Sequence, residues 1–201
     1  LIAREGVLGL ECTKWSEMAS PAHNVTIPYT RMLVGPMDYT PGGFNNTVEG
    51  KLEIKSINPE VMGTRAHQLA MFVVYESPLQ VLADSPSSYK GEDGMDLIRE
   101  VPTVWDETRF VDGTPGDYIV LARRKGDVWY LGGMTSWEGR EIEISLDFMG
   151  AGTRKARIWA DGAKADKDAE DLDTMELDVD TAAPLAVKMA PGGGFAAILT
   201  K

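Results

Sequence analysis

The chain has 201 residues, of which 43% are hydrophobic and 25% are charged, a composition typical of a folded globular protein rather than a disordered one. Its 20 basic and 31 acidic side chains give a net charge of −11, which repels phosphate backbones and argues against nucleic acid as a partner. Cys12 is the only cysteine, so an intramolecular disulfide framework and a multi-cysteine zinc site are excluded.

The apolar residues are dispersed, and no stretch approaches the run of about 18 that a membrane helix needs. We therefore expect no membrane span. The first residue is Leu1 rather than methionine, and no signal-peptide pattern follows it. This start suggests a processed chain or a piece of a longer protein, with length enough for one large domain or two modest ones.

The first predicted elements alternate between strands and helices. Ile27 to Pro41 predicts a short helix (PYTRML), a buried strand-like stretch and a loop that carries Asp38. Gly42 and Gly43 then end any regular element. A strand that ends in a loop and is followed by a long helix is typical of a β/α unit.

A helix is predicted between Thr64 and Asp84, because apolar side chains recur there with helical spacing. The stripe consists of Ala66, Leu69, Ala70, Val73 and Val74. The segment is apolar nearly all round, which predicts burial, and Pro78 should kink or end it. A strand over LAMFVVY is the alternative, and His67 is expected on the helix surface.

After Glu100 the pattern changes to short strands separated by turn residues. Eight strands are predicted, over residues 103–111, 118–124, 128–134, 142–146, 154–159, 175–179, 185–189 and 195–199. A turn is expected at Asp112-Gly113, and Lys125 to Asp127 predicts a three-residue hairpin loop. Regularly spaced short strands without a helix indicate an antiparallel β-sandwich.

The tryptophans of this strand-rich half are mostly expected in the core. Trp129 and Trp159 should be core residues. Trp137 lies in a loop, where it could stack on a sugar, although core packing is favoured.

The N-terminal motif REGVLGLE carries the sharpest chemical signal. Glu5 and Glu11 lie six residues apart around Gly6 and Gly9, and glycines allow a bend that lets two carboxylates converge. Paired carboxylates serve as general acid and base or as oxygen ligands for calcium. From spacing alone, two solvated surface glutamates are the favoured interpretation.

Three other features are better explained without a catalytic or ligand-binding role. The segment Asp84 to Asp96 lacks the spacing of a calcium-binding loop and is expected to be a solvated linker. Cys12 has no neighbouring histidine and is expected to be a passive thiol. The glycine-rich APGGGFAAIL (Ala190 to Leu199) lacks a phosphate-binding Lys-Ser/Thr pair and predicts a turn into a terminal strand.

Taken together, several long motifs resemble the C-terminal part of glycoside hydrolase family 97. They are REGVLGLE, GPMDYTPGGF, GTRAHQLAMFVVYESPLQVLADSPSSY, VPTVWDETRFVDGTPGDYIVLARRKGDVWYLGGMTSWEGRE and APGGGFAA. The resemblance implies that residues 1–99 are the last β/α units of a catalytic (β/α)8 TIM barrel, and that residues 100–201 are a C-terminal antiparallel β-sandwich. It implies a bacterial enzyme of the periplasm or cell exterior that hydrolyses α-glucosidic or α-galactosidic bonds with calcium in its active site.

Carried over by position, the resemblance implies Glu5 as a calcium ligand, Glu11 as the general acid and Asp38 as a residue that lines the substrate pocket. The base or nucleophile and further calcium ligands would lie upstream of Leu1, so we expect the chain to be inactive alone. Its partners would be an α-linked oligosaccharide and the upstream part of the same enzyme. The alternative is a non-catalytic carbohydrate-binding or interaction β-sandwich.

Overall fold

The computed structural model describes residues 4–201. Its helices are α1 (Pro21–Thr26), α2 (Arg65–Val74) and α3 (Met95–Glu100), with short 3-10 turns at Leu10–Lys14, Ile27–Tyr29, Arg31–Val34, Pro86–Tyr89 and Asp147–Met149. Its strands are β1 (Asn46–Thr47), β2 (Val61–Met62), β3 (Glu107–Thr114), β4 (Tyr118–Lys125), β5 (Val128–Thr135), β6 (Arg140–Ile144), β7 (Thr153–Asp161), β8 (Leu172–Asp180), β9 (Leu185–Met189) and β10 (Gly194–Thr200). No helix of these described residues is long and apolar enough to cross a bilayer.

Six of the strands form one antiparallel sheet in the order β3-β4-β5-β10-β7-β8, and β6 pairs with β9 in a second, two-stranded sheet. A core between the two sheets includes Val120, Leu131, Ile144, Val187 and Phe195. The eight predicted strands are therefore confirmed within a few residues at each end. The second layer is narrow, because only two strands cover the large sheet on that side.

Helix α2 and the N-terminal part of the chain cover the opposite face of the large sheet. Ile119 and Leu121 of β4 join a core with Met71 of α2, while Val120 faces the two-stranded sheet. Strand β4 is thus buried on both faces, which explains its uninterrupted apolar run. The predicted core positions of Trp129 and Trp159 are confirmed, at 5% and 0% exposure.

The helix predicted after Thr64 is confirmed, and all ten of its residues are buried. Thr64 caps it by accepting a hydrogen bond from the backbone nitrogen of His67 at 3.1 Å. The helix ends at Val74, before Pro78. The expectation that His67 lies on the surface is wrong: its side chain is fully buried, because the sheet and the N-terminal segment enclose α2 from both sides.

Two glycines of the sheet let α2 approach the strands closely. A Cβ atom on Gly132 would lie 2.8 Å from the Cβ of Val73 and 3.0 Å from the carbonyl oxygen of Ala70. A Cβ atom on Gly194 would lie 2.9 Å from the Cα of His67. These distances are shorter than van der Waals contact, so the packing requires glycine at both positions.

Gly132→Ala is expected to lower the free energy of unfolding by about 1–3 kcal/mol, because the added methyl group forces α2 away from the sheet. Urea denaturation of the chain measures the change. Thr174→Ala, at an exposed position of β8, is the control and should cost less than about 1 kcal/mol. Equal stability of Gly132→Ala and wild type would contradict this packing.

Two predicted connections in the strand-rich half differ from the structure. Asp112-Gly113 lies inside β3 next to an irregularity in its pairing with β4, and the turn comes later. The hairpin loop between β4 and β5 has two residues, because Lys125 pairs with Val128. Gly126 has a φ of 59° there, the conformation that glycine supplies at the first position of a type II′ turn.

The N-terminal part contains short parallel pairings joined by helical segments. Arg4 forms a parallel bridge with Met37, the backbone nitrogen of Met37 donates to the carbonyl of Glu76 at 2.9 Å, and β1 is parallel to β2. The predicted helix PYTRML is instead a pair of 3-10 turns. This segment shows the expected alternation of extended and helical pieces without a closed sheet among the described residues.

Candidate functional site

The backbone brings Glu5 and Asp38 to the same edge of the N-terminal part. The nitrogen of Asp38 donates to the carbonyl of Arg4 at 3.1 Å, and the Arg4–Met37 pairing is parallel. The two acidic residues therefore follow directly at the carboxyl ends of neighbouring extended segments. Both side chains are exposed.

The Arg31 guanidinium fixes this edge. Its Nη2 atom donates to the carbonyl oxygens of Arg4 at 2.9 Å and Glu5 at 3.0 Å, and its Nη1 atom donates to that of Gly35 at 3.1 Å. One cation thus holds the backbone of both extended segments. The sequence analysis missed Arg31, since nothing in PYTRML indicates that its side chain reaches back across 26 residues.

Glu11 lies in the first turn of the 3-10 helix Leu10–Lys14 and is attached to the same edge. The nitrogen of Leu10 donates to the carbonyl of Tyr39, the residue after Asp38, at 3.1 Å. A Cβ atom on Gly9 would overlap the Oε2 atom of Glu11 and lie 3.0 Å from the Tyr39 carbonyl. Gly9 therefore leaves room for the Glu11 carboxylate to fold back towards the segment that carries Asp38.

Backbone strain also marks this edge. Thr40 has a φ of 62°, a left-handed conformation that is unfavourable for a β-branched residue. Such conformations cost about 1–3 kcal/mol and cluster at functional sites. The strained residue directly follows Asp38 and Tyr39 in the sequence.

The Cys12 thiol is next to Glu11 but is a poor nucleophile. Burial, reinforced by the negative charge of Glu11, raises its pKa, and the thiol rather than the thiolate then predominates at neutral pH. The interpretation of Cys12 as a passive thiol agrees with this environment.

The donor set fits a calcium ion in kind but not in number. Glu5 and Asp38 offer the carboxylate oxygens that calcium prefers, and the ion takes about 6–8 oxygen ligands. Across the part of the chain that the structure describes, no three histidine, cysteine, aspartate or glutamate residues are grouped so that they could hold a metal ion. A calcium site at this edge would need ligands from outside these residues.

Three surface grooves lie elsewhere, on the strand-rich half, with volumes of about 510, 1010 and 480 Å³. None of the three is lined by Glu5, Glu11, Asp38 or an aromatic side chain. Trp137 is only half-buried, but its ring packs over Gly192. The arrangement therefore gives no observation in favour of a sugar-stacking platform at Trp137.

The second half of the chain matches a known domain family. Residues 104–200 match the family described as "Glycosyl-hydrolase 97 C-terminal, oligomerisation". This match covers β3 to β10, which corresponds to the two-sheet arrangement described above.

Curated relatives match along nearly the whole chain. A "Retaining alpha-galactosidase" of Bacteroides thetaiotaomicron is 44% identical over 195 residues, 96% of this chain and 30% of the relative. A "Probable retaining alpha-galactosidase" of Streptomyces bingchenggensis is 32% identical over 98% of this chain and 28% of its own length. The chain therefore spans less than a third of the relatives that it matches.

Solved structures show the same relation. A glycoside hydrolase family 97 enzyme from Pseudoalteromonas sp. strain K8, in complex with acarbose, superimposes with a TM-score of 0.86 at 37% identity. The superposition covers 99% of this chain and 31% of the solved chain. A β-arabinopyranosidase superimposes with a TM-score of 0.74 at 30% identity, over 96% and 29% of the two chains.

Proposed function

We propose that this chain, which belongs to glycoside hydrolase family 97 and corresponds to its C-terminal part, completes the active site of a calcium-dependent α-glycoside hydrolase. The substrate class is an α-linked oligosaccharide, and α-galactosides are the first to test because two curated relatives carry that name. The observation that carries the proposal is the convergence of Glu5, Asp38 and the Glu11 segment at one edge.

The catalytic role falls to Glu11. As general acid, its carboxyl group donates a proton to the glycosidic oxygen while the bond to the anomeric carbon breaks. The second carboxylate, which acts as nucleophile in a retaining enzyme, would come from the upstream part of the protein. The two catalytic carboxylates would thus be divided between two parts of the protein. This would explain why the edge carries a general acid but no nucleophile among the described residues.

Glu5 and Asp38 would bind calcium and the substrate and hold them in position. Glu5 would contribute a carboxylate to calcium, and Asp38 would accept hydrogen bonds from sugar hydroxyl groups. When bound, calcium would balance the negative charge of the site and fix the position of its ligands. Active sites of (β/α)8 barrels lie on the loops that follow the strands, which is where Glu5 and Asp38 stand relative to their extended segments.

The exposed apolar side chains support an upstream partner. Nine of the twelve large apolar side chains exposed in the described part lie between residues 15 and 104, among them Leu33 at 76%, Val34 at 65% and Ile57 at 86% exposure. Leu33 and Val34 are adjacent in the sequence, and exposed apolar surface of this kind is often covered by another part of a protein. We propose that the remaining β/α units of a (β/α)8 barrel cover these side chains.

The isolated chain is expected to show no hydrolysis of p-nitrophenyl α-galactoside or α-glucoside, whereas the full-length enzyme hydrolyses at least one of them. Removing one of two cooperating carboxylates disables glycosidase chemistry, because the residues act as a unit. Release of p-nitrophenol measures both samples at equal concentration. Clear turnover by the isolated chain that Glu11→Gln abolishes would contradict the proposed division of the site.

A further inference from the structure

The segment that carries Glu11 is attached at two backbone positions. The nitrogen of Leu10 donates to the Tyr39 carbonyl at 3.1 Å. The Nε2 atom of His23 lies 2.9 Å from the Leu8 carbonyl and must donate to it, since a carbonyl oxygen only accepts. His23 and the next residue, Asn24, both belong to α1, so α1 and Tyr39 together determine where Glu11 lies.

Tyr39 is in turn the first member of a buried chain of hydrogen bonds. Its hydroxyl group donates to the Oδ1 atom of Asn24. The Nδ2 atom of Asn24 lies 3.2 Å from the Nε2 atom of His67, and the Nδ1 atom of His67 lies 3.0 Å from the Gly193 carbonyl. Tyr39, Asn24 and His67 are all no more than 2% exposed.

The direction of each hydrogen bond in this chain is determined. The Gly193 carbonyl can only accept, so Nδ1 of His67 carries the proton and donates. Burial lowers the pKa of His67 to about 4, so the ring is neutral and its Nε2 atom accepts from the Asn24 amide. The Oδ1 atom of Asn24 is then left to accept from Tyr39.

The far end of the chain is the glycine-rich loop 190–194, which is fixed to the sheet. The Gly193 carbonyl also accepts from the nitrogen of Thr135 at 3.0 Å, and the Gly192 carbonyl accepts from the nitrogen of Thr64 at 3.0 Å. A Cβ atom on Gly193 would overlap the Oδ2 atom of Asp161. The loop therefore has no freedom to shift without breaking these contacts.

We propose that Tyr39, Asn24 and His67 are positioning residues for Glu11, because they connect its segment through buried hydrogen bonds to loop 190–194 of the C-terminal half. The inference rests on the proposed role of Glu11 as general acid. It assigns the C-terminal half a part in catalysis, since its loop fixes the far end of the chain. All three side chains are buried, so they would act through the Glu11 segment rather than by contact with a substrate.

The consequence for the reaction is specific to proton transfer. A general acid must lie within about 2.6–3.2 Å of the atom that it protonates, and a displacement of about 1 Å can cost on the order of a hundredfold in rate. Loss of this chain of hydrogen bonds should therefore slow the hydrolysis of substrates whose leaving group needs a proton. For substrates with a strongly activated leaving group, kcat/KM should be little affected, because it reports the bond-cleavage step, which then needs no proton.

The test compares three variants of the full-length enzyme on two α-galactosides, or on two α-glucosides if those are hydrolysed. One substrate has an alkyl leaving group, which requires protonation, and the other has a dinitrophenyl leaving group, which does not. Tyr39→Phe removes the hydroxyl at the start of the chain. Tyr89→Phe is the matched control: Tyr89 is also buried, and its hydroxyl group donates to the backbone carbonyl of Gly42 at 2.8 Å, a hydrogen bond that involves none of Tyr39, Asn24 and His67.

Tyr39→Phe is expected to lower kcat/KM for the alkyl glycoside by about tenfold or more and that for the dinitrophenyl glycoside by less than about twofold. Tyr89→Phe should leave the ratio of the two kcat/KM values unchanged within about twofold. Equal losses on both substrates, or no loss, in Tyr39→Phe would overturn the positioning role.

Glu11→Gln separates this inference from the proposed function. If Glu11→Gln selectively loses activity on the alkyl glycoside and Tyr39→Phe does not, the positioning role alone fails. If Glu11→Gln retains full activity on the alkyl glycoside, the assignment of Glu11 as general acid fails first.

Discussion

Glu11→Gln in the full-length enzyme is expected to lower kcat for an oligosaccharide by about 10²–10⁴-fold, the contribution that general acid catalysis typically makes. Glutamine keeps the size and hydrogen-bonding shape of the side chain but has no proton to transfer. If the enzyme is retaining, the same residue also serves as base in the second step. Azide, a nucleophile that needs no base, should then restore turnover of a dinitrophenyl glycoside.

The control for this prediction is Glu17→Gln, which removes an exposed carboxylate from the same N-terminal segment. It should retain kcat within about twofold, because surface substitutions away from a site have small effects. Equal losses in both variants would contradict a specific role for Glu11. A Glu11→Gln enzyme with unaltered kcat on an oligosaccharide would refute the proposed mechanism.

Asp161→Asn is expected to change how stability depends on pH. The Oδ2 atom of Asp161 accepts from the backbone nitrogens of Ala190 at 2.8 Å and Gly194 at 2.9 Å, while its Oδ1 atom is buried without a partner. Burial, aided by the charge of Asp171, raises the pKa of Asp161 to about 7, against a value of 3.8 for an unperturbed aspartate.

Between pH 3.8 and about 7, the folded chain therefore holds a proton on Asp161 that the unfolded chain has lost. The free energy of unfolding falls as pH rises across this window, by up to about 1.4 kcal/mol per pH unit. His67 acts in the opposite direction, since its lowered pKa makes stability rise with pH from about 4 to 6.5. A comparison between variants isolates the contribution of Asp161.

Asparagine cannot ionise, so the variant lacks this loss of stability. The free energy of unfolding of Asp161→Asn minus that of wild type should therefore increase by on the order of 2–4 kcal/mol from pH 4 to pH 8. Urea denaturation of the chain at both pH values measures this difference. Asp127→Asn, on an exposed hairpin loop, reports the effect of losing one surface charge. A stability difference between Asp161→Asn and wild type that does not change with pH would contradict the buried-acid interpretation.

The strand-rich half was largely predictable from sequence because its signals are local. Turn residues punctuate the chain at short intervals, and alternating burial such as that of Leu185, Val187 and Met189 in β9 is visible as a period of two. The wrong predictions concern positions at which a tertiary contact determines the local structure. Asp112-Gly113 is typical of a turn, but pairing with β4 keeps it inside β3.

The N-terminal part was less predictable because its elements are short and depend on distant neighbours. Helix α2 was correctly predicted from its apolar stripe, yet its surroundings were not, which is why His67 was placed on the surface. The hydrogen bond from His67 to Gly193 spans 126 residues of sequence. No periodicity or motif encodes such a contact.

The resemblance to glycoside hydrolase family 97 supplied most of the candidate site, and the roles of Glu5, Glu11 and Asp38 stay predictions. Spacing alone favoured two solvated glutamates at positions 5 and 11, and both are indeed exposed in this chain. What the structure adds is the backbone pairing that brings Glu5, Asp38 and the Glu11 segment to one edge. Arg31, Tyr39 and Asn24 had no signal in the sequence, because their role depends on contacts across folded segments.

The most direct measurement is a crystal structure of the full-length enzyme with calcium and an unhydrolysed α-linked oligosaccharide. We expect a carboxylate oxygen of Glu5 at about 2.3–2.6 Å from the ion, and the Glu11 carboxyl group within about 2.6–3.2 Å of the glycosidic oxygen. A substrate bound elsewhere, with both glutamate side chains directed into bulk solvent, would contradict the assignment of this edge as half of the active site.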